Sequence, residues 1–136
     1  MARVPGRLGR VIEECDAVLQ VALDTGSLWE AFRIASLMPS DRRIVLEAGT
    51  PLIKSVGLYD AVGVLRGVAG WDRAVVADTK TVDAGGLEAR SAGEAGADAM
   101  TVLSEAHEAT IKEALEASEA DGIAVYVDLI LSRNPI

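Results

Sequence analysis

Five short, almost uniformly apolar runs separated by helical patterns predict an α/β fold built on a parallel sheet. Three observations carry that prediction. Strand-like runs and amphipathic stretches alternate along the chain; the strand ends recur at an interval of about 25 residues; and four of those ends carry a carboxylate, Asp24, Glu47, Asp78 and Asp128. Strands covered on both faces read as continuous apolar runs, as these do. Two parallel architectures compete, an open doubly wound sheet and a barrel. A barrel gathers its strand ends around one mouth, whereas an open sheet spreads them along a line. No G-x-G-x-x-G follows the first strand, so the dinucleotide fingerprint is absent. The expected fold is a parallel (β/α) barrel of the TIM type, truncated to about five strands, with an extra N-terminal helix or arm. Residues 1–136 then form a single partial barrel domain, with the arm at 1–16 and five βα-type units over 17–131.

The elements follow in order. Residues 1–16 predict a short, irregular helix whose apolar face is Leu8, Val11, Ile12 and Cys15. Ala17 to Leu23 is the first strand, ending at Asp24; Ser27 caps a helix facing inward through Leu28, Ala31, Phe32, Ala35 and Met38, which Pro39 and Ser40 end. Arg43 to Leu46 is the second strand, ending at Glu47, with Gly49-Thr50-Pro51 leading to a helix around Leu58–Val68. Ala74 to Ala77 is the third, ending at Asp78, with a helix from Gly86 to Ala95. Ala99 to Leu103 is the fourth, followed by a helix His107–Glu119 with Ile111 and Leu115 on its inner face. Ile123 to Val127 is the fifth, ending at Asp128.

Composition narrows the function. A formal charge of -8 and a pI near 4.6 argue against nucleic acid or an anionic membrane as partner, though not against locally captured phosphate. The single cysteine, Cys15, cannot form an internal disulfide, which fits a reducing cytoplasm, and no apolar run approaches the ~20 residues of a membrane span. Gln20 and Asn134 are the only amides and arginine outnumbers lysine ten to three, a mild sign of a thermophile source.

The chemistry concentrates in Val75-Val76-Ala77-Asp78-Thr79-Lys80-Thr81-Val82-Asp83-Ala84-Gly85-Gly86. In a strand, residues two apart share a side, so Asp78 and Lys80 project together, while Asp83 sits past the turn. Charges at the end of an apolar strand are costly unless they face water, a metal or a substrate. Crowded carboxylates need a cation among them; Lys80 supplies one charge, and hard oxygen donors without Cys or His suit Mg²⁺ rather than zinc. A metal and a lysine facing a bound sugar stabilise an enediolate. Residue chemistry alone therefore reaches lyase or isomerase chemistry on a small anionic carbonyl compound.

Leu19-Gln20-Val21-Ala22-Leu23-Asp24, Glu47-Ala48-Gly49-Thr50-Pro51-Leu52-Ile53-Lys54 and Ala77 to Gly85 resemble the 3-hexulose-6-phosphate synthase family, of the orotidine monophosphate decarboxylase group of β/α barrels. Ala95 to Asp98, Thr101 to Leu103 and Val127 to Ile130 resemble it too. Glu47, where the orotidine type would carry a lysine, points to the sugar-phosphate branch of synthases and keto-gulonate-phosphate decarboxylases. The resemblance implies that Glu47 and Asp78 bind Mg²⁺, that Lys80 stabilises the enediolate, and that Asp24 contacts substrate hydroxyls. It further implies that Asp83 reaches a neighbouring subunit's site in a homodimer or higher homo-oligomer, and that Asp128 is another acidic site residue. The implied reaction is the reversible aldol joining of formaldehyde to ribulose 5-phosphate.

The chain departs from the family in length. Eight units at this interval need roughly 200 residues, and here there is room for five. Missing are the strand expected to carry a proton-transferring histidine and those whose loops bind phosphate; His107, after the fourth strand, matches neither. Three readings stand: an enzyme completed by self-association or a partner, a catalytically inactive relative that oligomerises or binds ligand, and a fragment of a longer gene product. Decarboxylation of the orotidine monophosphate or keto-gulonate-phosphate type is a further alternative. Trp29 and Trp71 are expected at packing margins, Tyr126 in the core, Lys54 at a loop or helix start, and Glu105 at the site's edge or in solvent.

Overall fold

The computed structural model describes residues 4–133. The chain runs α1 (Gly6–Glu14), β1 (Leu19–Leu23), α2 (Leu28–Leu37), β2 (Ile44–Ala48), α3 (Thr50–Val56), α4 (Leu58–Ala69), β3 (Val75–Thr81), α5 (Gly85–Ala95), β4 (Ala99–Leu103), α6 (Glu108–Asp121) and β5 (Ala124–Asp128). The strands form one sheet in the order β1-β2-β3-β4-β5, every neighbouring pair parallel. Each crossover thus steps to the adjacent position in the same direction. That is the winding of a β/α barrel; a doubly wound sheet reverses at a switch point. Among the described strands, β1 and β5 each keep one unpaired edge.

Strand alternation divides the core. Leu46, Ala48, Val75, Ala77 and Met100 pack outward against the helices, whose inner residues include Ala31, Ala35, Val62, Leu65, Ala89, Ala92 and Ala114. The many alanines let the helices lie close to the sheet and to one another. The tightest approach is at Gly85, where a Cβ would stand 2.0 Å from the Thr110 carbonyl oxygen. Val45, Val76, Ala99 and Ala124 face the other way, and Leu8 of α1 packs among them, 1% exposed. Burying that leucine is worth about 1.5–3 kcal/mol, so α1 plugs the amino end of the inner face. Arg7 fastens it by donating to Asp98 and, at 2.7 Å, to the Trp71 carbonyl. Asp98 also accepts from Arg66 and, at 2.8 Å, from the Val75 N–H, so α1, α4, β3 and the start of β4 meet on one carboxylate.

The structure corrects the sequence expectations at several points. β3 continues to Thr81 instead of ending at Ala77: residues 78–80 form a bulge, its register against β4 shifting between Ala77 and Thr81. A helix, α3, stands where the sequence suggests a loop; Pro51 lies in its first turn, where a missing N–H costs nothing. β1 begins at Leu19, two residues after the expected start. Ser27 occupies the N-cap of α2 but makes no capping bond through its side chain. Ile12, Phe32 and Leu115 are exposed, Phe32 stacking on Trp29 at 5.8 Å. The buried face of α6 is Thr110, Ala114, Ala117 and Ser118 instead. Residues 1–3 of the arm and 134–136 of the tail, with Asn134, lie outside the described residues. Among the described residues no helix is long and apolar enough to cross a membrane.

Candidate active site

The inner face carries apolar residues toward its amino end and polar ones toward its carboxyl end. Lys80 stands at the centre of the polar group. Its Nζ lies 3.0 Å from Asp78 Oδ2 and 2.6 Å from Asp128 Oδ2, linking β3 to β5 across β4. The bulge makes this possible: Lys80 takes φ 47, a left-handed conformation, and its N–H donates to Thr101 Oγ1 at 2.8 Å. The same Thr101 hydroxyl donates to Asp78 Oδ1 at 2.8 Å, and the Thr50 hydroxyl donates to Oδ2 at 2.8 Å. Asp78 is 7% exposed, so these donors replace the water it gives up. Asp128 is oriented from its other oxygen, which accepts the Ile130 N–H at 2.8 Å.

The electrostatics separate the groups. Burial would raise the Asp78 carboxyl, but bonds from Thr50, Lys80 and Thr101 outweigh it and hold it below the ordinary carboxylate range. Burial would likewise lower the Lys80 ammonium, yet the bonds to Asp128 and Asp78 raise it above its usual value, so it stays protonated. Glu47 goes the other way. Burial, together with the nearby Asp78 and Asp24 charges, raises it despite the bond it accepts from Gln20 and the attraction of Lys80. Two neighbouring carboxylates are thus pushed apart in acidity around a permanent cation, a pattern associated with acid–base and anion-stabilising sites.

The sequence-predicted residues fall as follows. Glu47, Asp78, Lys80 and Asp128 converge. Asp24 is exposed beside them, its carboxylate lying where a Cβ on Gly49 would intrude to 1.9 Å of Oδ1. Asp83 stands outside the cluster, exposed, accepting the N–H of Ala84 at 2.7 Å. His107 caps α6 by accepting the Ala109 N–H at 3.1 Å, and Glu105 and Lys54 are exposed. Trp71 is 85% exposed. Tyr126 is half-buried on β5 beside the inner apolar group, raised in pKa by burial and by the Glu47 charge. Gln20, Thr50 and Thr101 were not assigned roles by sequence; the two-residue spacing of Gln20 from Ala22 and Asp24, on one strand face, is the signal that marks the first.

Among the described residues no group of three or more His, Cys, Asp or Glu side chains is placed to hold a metal ion unaided. Glu47 and Asp78 offer oxygen only. That set suits Mg²⁺, which commonly keeps several waters and takes one or two carboxylates, and does not suit zinc.

A consecutively wound parallel sheet with lysine and carboxylates at the carboxyl ends of its strands defines the class, a protein of the TIM-type β/α kind with a charged group at the mouth of its sheet. The chain belongs to the orotidine 5′-phosphate decarboxylase / HUMPS family, whose family model matches residues 17–135. It is 40% identical over 118 residues to the bifunctional enzyme Fae/Hps of Methanococcoides burtonii, covering 87% of this chain and 29% of that one. A crystal structure of 3-hexulose-6-phosphate synthase superposes with a TM-score of 0.78 at 42% identity, over 85% of this chain and 55% of the synthase. KGPDC from Streptococcus mutans, solved in complex with D-R5P, gives 0.75 at 36% identity, over 87% of this chain and 57% of KGPDC. The chain therefore spans under a third of the bifunctional relative and little over half of the solved enzymes.

Proposed function

We propose that this chain supplies the carboxylate and lysine part of a sugar-phosphate lyase site of the 3-hexulose-6-phosphate synthase type. In this reading it joins formaldehyde to ribulose 5-phosphate, within a cytoplasmic homo-oligomer or with a partner that completes the site. The observation that carries the reading is the Lys80 ammonium suspended between Asp78 and Asp128 at the mouth of the inner face. A base supplied by the completing copy or partner takes a proton from the carbon beside the sugar's carbonyl, leaving an enediolate whose carbon bonds to the formaldehyde carbon; the alkoxide so formed takes that proton back. A protonated Lys80 facing that anion lowers its energy, and the two carboxylates keep the ammonium aimed. Glu47 and Asp78 would hold Mg²⁺, which supplies Lewis-acid polarisation of the sugar oxygens when bound. Asp24, exposed at the rim, accepts from substrate hydroxyls, and Asp83, outside the cluster, reaches the site of a second copy.

A second reading is a ligand-binding relative without turnover: His107, the one histidine in the sequence, is occupied as the cap of α6 and stands apart from Lys80 and its carboxylates. Decarboxylation of a keto-gulonate phosphate or orotidine monophosphate is the other chemistry open to this family. The test is formaldehyde consumption with ribulose 5-phosphate and Mg²⁺, measured at several protein concentrations. Turnover lost in Lys80→Ala supports the lyase. Absence of turnover at every assembly state, with ribulose 5-phosphate still raising the melting temperature, supports the ligand-binding relative.

A further inference from the structure

At the opposite end of the sheet from Lys80 lies a cavity of about 370 Å³, lined by Arg7, Arg10, Ser40, Arg42, Trp71 and Asp72 with the flank of α1. We propose that it binds a nucleoside phosphate. Its volume is in the range of small-ligand pockets. Its charge is unusual for a chain of net -8. Asp98 is shared between Arg7 and Arg66, and Arg10 has no hydrogen-bond or ion-pair partner among the described residues. Arg42 holds Glu14 at 2.6 Å through one nitrogen only, and both of those side chains are half exposed. A guanidinium carries five N–H donors, so Arg7 and Arg42 keep donors to spare, and an exposed pair such as Arg42–Glu14 yields readily to a phosphate.

The second part of the site is aromatic. The Arg7 guanidinium stands 5.8 Å from the Trp71 ring centroid on one face, while the residue as a whole is 85% exposed. The other face of the indole is open, and a nucleobase can stack on such a ring. Asp72, next in the chain, offers a carboxylate of the sort that accepts from ribose hydroxyls, and the Ser40 hydroxyl can donate to phosphate. Flat base, hydroxylated sugar and anionic phosphate are the three chemistries this lining meets. A polynucleotide is disfavoured, because the chain's overall charge repels it.

The experiment follows Trp71 fluorescence in a Trp29→Phe background while ADP and AMP are added. The expected result is saturable quenching in the micromolar to sub-millimolar range, weakened about tenfold in Arg10→Gln. Adenosine should bind more weakly than AMP, and inorganic phosphate should not quench. Arg10 is an exposed helix position, so the variant should keep the parent melting temperature. Lys80→Ala should leave ADP binding unchanged, which separates failure here from failure of the lyase assignment. The proposal is overturned if several millimolar ADP gives no saturable quenching, if Arg10→Gln binds ADP as the parent does, or if ribose 5-phosphate displaces ADP as well as AMP does.

Discussion

Replacing Lys80 with methionine keeps the length of the side chain and removes its charge. The ammonium stands 3.0 Å from Asp78 and 2.6 Å from Asp128. At an effective dielectric near 20, each contact is worth roughly 6 kcal/mol of gross attraction. Desolvation cancels most of that, and the lysine side chain is 32% exposed, so the net loss should be about 1–3 kcal/mol. For a chain of this size the melting temperature should fall by roughly 3–15 °C near neutral pH. Asp78 is held below its ordinary value of 3.8, so its stabilising contribution is present above that value and is lost as pH falls through the depressed one. Lys80→Met removes part of the depression. The gap between variant and parent should therefore be widest near neutral pH and narrow as pH falls below 3.8 toward the depressed value. Thermal melts of both proteins across that range make the measurement. An equal gap at every pH, or no loss at neutral pH, would refute the account of Lys80 as the cation that organises these carboxylates.

Three further outcomes are expected. Mg²⁺ at about a hundred times its Kd should stabilise the chain by about 2.7 kcal/mol, and Glu47→Gln should remove most of that. Because Glu47 is raised above its ordinary 4.5, Mg²⁺ protection should fade as pH falls through a window above that value, which melts at graded pH will show. Gly85→Ala places a methyl 2.0 Å from the Thr110 carbonyl oxygen, forcing α5 off α6. Denaturant titration should show a loss of about 1–3 kcal/mol or more. Asp98→Asn leaves Arg7 and Arg66 without their shared anion and should cost about 2–4 kcal/mol, read by the same titration, with α1 more open to proteolysis.

Much of the site was legible because its residues sit at strand ends, where sequence spacing and three-dimensional position coincide. Asp24, Glu47 and Asp128 each close an apolar run, and parallel pairing carries them to one mouth. Asp78 and Lys80 were expected at the end of a short strand. They lie within a longer one, because Asp78 and Lys80 have low strand preference and mask the strand-favouring Thr79 and Thr81, and nothing in their order announces a bulge. The helix at Thr50–Val56 was hidden by Pro51, a breaker inside a helix but a favoured residue in its first turn. Gln20, Thr50 and Thr101 stayed silent because their roles are set by what lies across the sheet. Leu115 misled for a different reason. Alanines and Thr110 pack α6 so closely against α5 that the larger side chain is turned to water.

Among the described strands, the outer margins of β1 and β5 restrict the contacts through which copies of this sheet can join. A contact that sets the β5 margin of one copy against the β1 margin of the next is head-to-tail, and repeats until it either closes into a ring or runs on as a fibre. A contact of β5 with β5 is self-complementary and stops at two, but it must place an antiparallel seam within a parallel sheet. Light scattering over a dilution series distinguishes them: mass reaches a plateau for a ring or a pair and keeps climbing for a fibre.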